Sequence, residues 1–313
     1  MRISIFGLGY VGSVSLACLA QNGHVVVGVD ISQEKVKLIN QGQPPIIEKD
    51  LGRIIKAQRL QRTISATSDA ESAVLQTEVS FVCVGTAPKK EGHLNLDGVF
   101  GVAQEIAAGI AKKRSFHVVV IRSTVMPGTN RKITELIEQI SKKTSGKDFA
   151  VVSNPEFLRE GTAVHDFYGP PYTLIGTADK RAFETMKRVY KRIDAPIVHA
   201  DTKIAELIKY VNNSFHALKI CFANEIGSIC KALDIDSHRL METFCLDSKL
   251  NISPSYLKPG FAYGGSCLPK DLRALCAIAH DHYIKCPVLE NIEISNATHK
   301  DRVFEKIIEF FAY

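Results

Sequence analysis

The chain of 313 residues is 45% hydrophobic and 23% charged, with a formal net charge of +6, which is typical of a globular protein with one or two domains. This composition excludes low-complexity and fibrous proteins, and the positive charges form no basic block that would favour a nucleic acid partner. No apolar stretch approaches the roughly 20 residues that a membrane-spanning helix needs, so we expect no membrane partner either.

Eight cysteines are scattered along the chain without a Cys-x-x-Cys pair, and this spacing predicts no metal site. Met1 and Arg2 lead directly into a strand pattern, so we expect no signal peptide. Both features favour reduced thiols and a cytoplasmic location.

The first 200 residues alternate between strand and helix patterns, and the central strands are continuously apolar. Continuous apolar runs indicate strands that are buried on both faces of a parallel sheet. This alternation predicts a Rossmann-type, doubly wound α/β domain over residues 1–200. The predicted strands are Ile3–Phe6, Val25–Val29, Thr63–Ala66, Val79–Val84, His117–Ile121, Phe149–Val152, Tyr172–Ile175 and Ile197–His199.

A helical pattern without proline runs from Asp201 to about Leu233, which corresponds to a helix of some 45 Å. It opens a second, all-α domain over residues 201–313. Such a helix can pair across a homodimer, which we expect here, although a buried core helix fits the same pattern.

A Gly-x-Gly-x-x-Gly motif follows the first strand and opens a helix. Gly7 permits a tight turn, Gly9 allows close approach of a pyrophosphate, and Gly12 allows close packing of helix against strand. Asp30 ends the second strand. Its carboxylate can accept hydrogen bonds from the ribose hydroxyls of a cofactor, and it would repel a 2′-phosphate. The motif therefore predicts NAD as the cofactor, and a nearby Lys35 weakens the argument against NADP only slightly.

Two further loops follow later strands of the same sheet. They contain Gly85 and Thr86 in one case and Ser123 and Thr124 in the other. Ligands bind where parallel strands end, so we expect both loops to contact the cofactor. Ordinary turns remain an alternative explanation for each.

The segment from Gly264 to Asp271 suggests a reactive thiol. Pro269 suits the first turn of a helix and places Cys267 at its N-terminus. The helix dipole and Lys270 both favour the thiolate form there, and Asp271 lies on the same helix face as Cys267. A thiolate can attack an aldehyde, and the adduct can lose hydride to become a thioester. A buried, unreactive cysteine is the alternative.

The long helix carries four polar residues on the face opposite its apolar stripe, at Lys209, Asn213, His216 and Asn224. Three neutral hydrogen-bonding groups beside one lysine differ from an ordinary surface rich in glutamate and lysine. This face is therefore a candidate site, with a solvated face as the alternative.

Glu156 and Glu160 lie four residues apart, directly after the predicted strand Phe149–Val152. One of them can activate a water molecule for attack on a thioester. A pair of carboxylates placed to suit a helix N-terminus is an equally good explanation.

Taken together, these motifs resemble the UDP-glucose/GDP-mannose dehydrogenase family, whose members use NAD to oxidise the C6 alcohol of a sugar nucleotide to a carboxylate. The resemblance extends from Met1 to about Asn296 and includes six motifs in order. These motifs are Gly7–Gly12, Val84–Thr86, Ser123–Val125, Asn154–Gly161, Lys209–Asn213 and Gly264–Asp271.

The resemblance also implies roles for individual residues. The implied cofactor residues are Gly7, Gly9, Tyr10, Val11, Gly12, Asp30, Lys35, Gly85, Thr86, Ser123, Thr124, Glu160 and Lys270. The implied substrate residues are Glu160, Lys209, Asn213, His216, Asn224, Tyr256, Lys258 and Gly264. The implied catalytic residues are Cys267 as nucleophile, Lys209 at the oxyanion, Glu156 in thioester hydrolysis, and Asn213, Asp271 and Thr124.

Several stretches favour the GDP-mannose branch of the family, with UDP-sugar oxidation as an alternative. Family members continue into a third α/β domain, so the end of this chain at Tyr313 suggests either a fragment or a shortened form with little activity. Two other readings stay open: a two-electron hydroxyacid dehydrogenase of the 6-phosphogluconate type, and an NAD-binding or dimerisation module.

Overall fold

A computed structural model describes residues 1–87, 94–253, 255–256, 260–265 and 267–311. The chain divides into two compact units, Met1–Val211 and Asn212–Tyr313. The domain bounds of 1–200 and 201–313 that we infer from the sequence stay a prediction.

The first unit is built on one sheet of eight strands, in the order β3-β2-β1-β4-β5-β6-β7-β8. The order reverses between β1 and β4, which is where ligands bind in such sheets. The strands are β1 Arg2–Phe6, β2 Val25–Val29, β3 Ile64–Thr67, β4 Val79–Val82, β5 His117–Ile121, β6 Phe149–Ser153, β7 Thr173–Gly176 and β8 Ile197–Ala200.

Helices connect these strands and make up the regular structure of the second unit. They are α1 Tyr10–Gln21, α2 Gln33–Asn40, α3 Leu51–Leu60, α4 Ala70–Gln76, α5 Asp97–Lys112, α6 Thr129–Ser141, α7 Ala163–Tyr168, α8 Lys180–Val189, α9 Thr202–Ala232, α10 Ser237–Cys245, α11 Cys267–Asp281 and α12 Pro287–Phe311. The predicted fold class, a Rossmann-type sheet followed by a helical region that begins with a long helix, is confirmed.

The apolar runs of the central strands are explained by burial on both faces. Every residue of β4 and β5 is buried, and a separate apolar cluster covers each side of the sheet. Leu16 and Ile55 belong to one cluster, and Ile106 and Ile133 belong to the other. Strands with two covered faces need no alternation of polar and apolar residues.

Two neighbouring strands, β7 and β8, run in the opposite direction to the other six. β7 pairs with β6 in the antiparallel direction, and only Ser153 and Gly176 are in register. Because this pair joins the last residue of each strand, the chain between β6 and β7 stays near the carboxyl end of β6. The apolar pattern of β7 gives no information about its direction, which depends on this connection.

A buried polar chain crosses β1, β4 and β5. Lys113 donates to two backbone carbonyls and, at 2.8 Å, to Nδ1 of His117. Nε2 of His117 lies 2.8 Å from the Ser80 hydroxyl, which lies 2.7 Å from the Ser4 hydroxyl. Burial lowers the pKa of Lys113 to about 8 and holds the pKa of His117 well below its usual value.

The depressed pKa of Lys113 predicts a specific pH dependence of stability. The folded pKa of about 8 lies below the value of about 10.4 in an unfolded chain, so the unfolded state binds more protons between these values. The free energy of unfolding of the wild type therefore rises with pH in this window. In Lys113→Met this rise is absent, so the Tm of the variant should fall relative to wild type as pH increases from about 7 to about 10.

Differential scanning fluorimetry of both proteins across this pH range measures the difference. Lys112→Met is the matched control, because the adjacent Lys112 is 60% exposed and should give a difference that does not vary with pH. A Tm difference between Lys113→Met and wild type that stays constant over the same range contradicts the prediction.

Candidate functional site

The glycine turn between β1 and α1 has the geometry of a phosphate-binding loop. Gly7 has a φ of +93°, and its N–H donates to the Val29 carbonyl at 2.8 Å. A Cβ on Gly12 would lie 1.8 Å from the Gly7 oxygen, whereas one on Gly9 would meet nothing within 4 Å. In the described part of the chain, no side chain caps α1, so its first N–H groups are available to an anion.

Asp30 is held rigidly at the end of β2. Its Oδ2 accepts from the Leu8 N–H at 2.7 Å and lies 3.5 Å from the Lys35 ammonium, while Oδ1 accepts from the Ser32 N–H at 2.9 Å. The carboxylate borders a cavity of about 540 Å³ that also contacts Gly9. A second negative charge in this position, such as a 2′-phosphate, would be repelled.

A second cavity of about 240 Å³ lies on the other side of the glycine turn. The loops after β4 and β5 meet here, since Thr86 Oγ1 donates to the Thr124 carbonyl at 3.0 Å and Ser123 Oγ donates to the Val84 carbonyl at 2.7 Å. The structure thus brings together many of the predicted cofactor and catalytic residues. They are Gly9, Tyr10, Val11, Gly85, Thr86, Ser123, Thr124 and Glu156.

Glu156 and Lys209 form an ion pair. The Lys209 ammonium lies 3.0 Å from Glu156 Oε1, and the two side chains are only 13% and 12% exposed. The other oxygen of Glu156 accepts from the Leu158 N–H at 2.5 Å. A pair so shielded from water interacts more strongly than one on the surface. Two predicted catalytic residues, 53 positions apart in the sequence, are therefore in direct contact.

The side chain that places Lys209 is Glu206, which the sequence analysis missed. It is 3% exposed, and its two oxygens accept from the N–H groups of Gly128 and Asn130 at 2.6 and 2.7 Å. This carboxylate caps the first turn of α6 and fixes the start of α9. The only signal in the sequence is its spacing of one helical turn before Lys209.

Tyr10 takes part in a second contact that the sequence did not indicate. Its hydroxyl donates to Glu48, and the Gly161 N–H donates to Glu48 Oε2 at 2.8 Å. Burial and the hydrogen bond to Glu48 raise the pKa of Tyr10 to about 12. The first helix after the glycine turn is thereby tied to the loop that carries the exposed Glu160.

Several other predicted site residues belong to the second unit. α11 begins at Cys267, as the position of Pro269 predicts, and Asp271 is exposed in its second turn. The side chains of Cys267 and Lys270, and Lys258 altogether, lie outside the described residues. Besides Asp271, the exposed residues of the predicted set in the described part of this unit are Asn213, His216, Asn224, Tyr256 and Gly264.

The loop before Cys267 is tied to α12. Asn296 Oδ1 accepts from the Tyr263 N–H at 2.9 Å, and its Nδ2 donates to the Tyr263 carbonyl at 3.0 Å. His299 lies 2.8 Å from the Gly260 carbonyl. These contacts fix the backbone just before Gly264, and nothing in the sequence around Asn296 marks it as a loop anchor.

Within the part of the chain that the structure describes, no group of three or more histidine, cysteine, aspartate or glutamate residues is placed to hold a metal ion. Of the helices in the same part, none is both long enough and apolar enough to cross a membrane.

The reversal of strand order, the uncapped glycine turn and the carboxylate at the end of β2 define an NAD-binding dehydrogenase class of fold. Residues 1–194 match the NAD binding domain of the UDP-glucose/GDP-mannose dehydrogenase family, and residues 203–298 match its central domain. The chain belongs to this family. The predicted family and the predicted cofactor, NAD, are confirmed.

Two relatives with assigned names illustrate the similarity. The chain is 48% identical over 308 residues to GDP-mannose 6-dehydrogenase of Pseudomonas aeruginosa, covering 98% of this chain and 71% of the relative. It is 37% identical over 314 residues to UDP-glucose 6-dehydrogenase of Rhizobium meliloti, covering 98% and 70%.

Solved structures agree with these matches. A ternary complex of GDP-mannose dehydrogenase from Pseudomonas aeruginosa superposes with a TM-score of 0.97 at 47% identity, covering 99% of this chain and 71% of that one. UDP-glucose dehydrogenase from Pyrobaculum islandicum gives a TM-score of 0.77 at 35% identity, with coverage of 99% and 71%.

The contacts of Asp30 predict the effect of neutralising it. In Asp30→Asn the hydrogen bonds to the ribose weaken and the repulsion of a 2′-phosphate disappears, so NAD affinity should fall about tenfold and the preference for NAD over NADP should narrow. Calorimetric titration with both cofactors measures the two affinities. Lys35→Met is the opposing control, since it removes a positive charge and should weaken NADP more than NAD. An unchanged NAD-to-NADP ratio in Asp30→Asn contradicts the assignment.

Proposed function

We propose that the chain oxidises the C6 alcohol of GDP-mannose to a carboxylate in two successive NAD-dependent steps. The observation that carries this proposal is the Glu156–Lys209 ion pair, because Glu156 borders the same cavity as the glycine turn. A simple two-electron alcohol oxidation does not need a carboxylate that can activate water at this position. The similarity to GDP-mannose 6-dehydrogenases supports the choice of substrate.

The first oxidation converts the alcohol to an aldehyde and releases one proton. NAD, when bound, accepts the hydride that leaves C6 in each of the two oxidations. The Lys209 ammonium, held against Glu156 at 3.0 Å, stabilises the negative charge that develops on the C6 oxygen. Thr124, whose carbonyl accepts from Thr86, completes the catalytic set at this cavity.

The second oxidation passes through Cys267. Its thiolate attacks the aldehyde carbon, and the thiohemiacetal then loses a hydride and becomes a thioester. Water attacks the thioester carbon, Glu156 accepts the proton, and the carboxylate product and free thiolate are released. Asn213 and Asp271 orient the substrate and the water molecule.

The remaining predicted residues complete the two binding sites in this proposal. Asp30 and Lys35 bind the adenosine ribose of NAD, and Lys270 contributes to the cofactor site. The sugar nucleotide is bound by Glu160, His216, Asn224, Tyr256, Lys258 and Gly264.

Counting NADH tests the chemistry. Wild-type protein supplied with GDP-mannose should form two NADH for each sugar acid, whereas Cys267→Ser should form no acid because the thiohemiacetal cannot form. Absorbance at the NADH band, together with chromatography of the nucleotide products, measures both quantities. Cys276→Ser, in the same helix α11, is the control and should keep the ratio of two.

One NADH per sugar, or full activity of Cys267→Ser, would instead favour a hydroxyacid-type two-electron enzyme. Binding of NAD without any turnover would indicate a binding module. A higher kcat/KM with UDP-glucose than with GDP-mannose would indicate that the substrate is a UDP-sugar.

We also propose that the chain is a cytoplasmic homodimer, paired through α9. Ile204, Leu207, Val211, Phe215 and Leu218 follow one another at helical spacing and are between 39% (Phe215) and 58% (Ile204) exposed. A contiguous apolar row of this kind on a helix is typical of a surface that a second subunit covers.

Charge on this row should dissociate the dimer. Val211→Lys places an ammonium in the middle of the row, and it does not weaken the helix, because lysine has a higher helix propensity than valine. Ile220→Lys is the matched control: Ile220 is 62% exposed and lies about 180° around the same helix. Sedimentation velocity should show a dimer for wild type and Ile220→Lys and a monomer for Val211→Lys. A monomeric wild type, or dissociation by both variants, contradicts the assignment.

A further inference from the structure

The cavity beside Asp30 extends to one face of α5. Gly98, Gly101, Val102 and Glu105 all border it, at spacings that place them on the same side of a helix. Two of these four positions have no side chain, and a Cβ on Gly101 would meet nothing within 4 Å. A flat ring can therefore lie against the backbone of the helix at this point.

The usual path of a dinucleotide across such a sheet locates the base of the cofactor. The glycine turn at Gly7 and Gly9 receives the pyrophosphate and Asp30 receives the adenosine ribose, so the adenine ring lies beyond Asp30, toward α5. Ile31 also borders this part of the cavity, and its side chain is 91% exposed. An exposed isoleucine and two glycines that border the same cavity provide an apolar surface for an aromatic ring.

Glu105 stands at the end of this row, one turn beyond Gly101. In the described part of the chain it has no hydrogen bond and no ion pair, and burial alone raises its pKa. The hydroxyls of Ser32 and Ser68 also border the cavity, and they accept from the Lys35 N–H at 3.4 Å and from the Gln33 amide at 3.1 Å. A hydroxyl can pair with either an amino or a carbonyl group, whereas an ionised carboxylate can only accept.

We propose that Glu105 recognises the adenine of NAD by accepting a hydrogen bond from its exocyclic amino group. A purine that carries a carbonyl oxygen at the same position presents an acceptor to the carboxylate and is repelled. Glu105 is thus the residue that selects the base, as Asp30 selects the unphosphorylated ribose. This inference rests on NAD binding alone and does not depend on which sugar nucleotide the chain oxidises.

Nicotinamide hypoxanthine dinucleotide tests the assignment, because it differs from NAD in having a carbonyl in place of the amino group. Calorimetry with the whole chain, in the absence of any sugar nucleotide, should show that wild type binds NAD about tenfold more tightly than this analogue. In Glu105→Gln the carboxamide can accept from an amino group or donate to a carbonyl, so the two cofactors should bind with similar affinity. The NAD affinity of the variant should stay within about threefold of wild type.

Asp97→Asn is the matched control, since it removes a carboxylate from the first turn of the same helix outside the cavity and should keep the preference for NAD. Each comparison is a ratio of two ligands on one protein, so partial misfolding of a variant does not change the result. Equal affinities in wild type, an undiminished preference in Glu105→Gln, or no measurable binding of NAD would overturn the proposal. Failure of sugar oxidation, with the NAD preference intact, would leave Glu105 assigned and would count only against the proposed reaction.

Discussion

The candidate site of the first unit depends on the buried carboxylate of Glu206. Its two oxygens accept from the N–H groups of Gly128 and Asn130 at 2.6 and 2.7 Å, in the first turn of α6, where the helix dipole also favours a negative charge. The contact fixes both the position and the rotation of α9. Lys209 follows three residues later, on nearly the same side of the helix, so its ammonium can reach Glu156. The buried Ala205 holds the same end of α9 close to β7, since a Cβ added to Gly176 would lie 2.4 Å from the Ala205 Cβ.

The partner of Lys209 is held from the opposite side by the unusual end of β6. Asn154, directly after this strand, accepts from Arg122 at 2.9 Å and from the Tyr190 hydroxyl at 2.5 Å, and donates to the Leu174 carbonyl at 2.8 Å. These bonds tie the chain to β7 just where the sheet changes direction. Glu156, two residues later, is therefore presented at the carboxyl end of the sheet. The hydrogen bonds of Asn154 thus account both for the pairing of β6 with β7 and for the position of the Glu156 carboxylate.

The sequence predicts those features whose causes are local. The eight strands and the long helix follow from apolar periodicity, and Asp30 follows from a motif whose contacts at Leu8, Ser32 and Lys35 lie within 22 residues of it. The direction of β7, the cap by Glu206 and the contact between Glu48 and Gly161 could not be predicted in the same way. Their partners lie far away in the sequence, at 76 to 78 residues for Glu206 and 113 residues for Glu48. Pairing at such distances is decided by packing, which single-residue patterns do not record.

The carboxylates of the first unit differ chiefly in how many further hydrogen bonds they can accept once their neighbours have donated to them. An ionised carboxylate can accept about four hydrogen bonds. Glu206 is 3% exposed, and each of its two oxygens accepts from a backbone amide of α6 or of the residue before it, so it stabilises the fold. Asp30 accepts hydrogen bonds from two backbone amides and lies near one ammonium. These contacts hold it rigidly, but it can still accept a hydrogen bond from a ribose hydroxyl. One oxygen of Glu156 contacts an ammonium and the other accepts from a backbone amide. Glu105 borders its cavity and has no hydrogen-bond or ion-pair partner among the described residues. Neighbouring donors, rather than the presence of a carboxylate, thus determine which of these residues is left to bind a ligand.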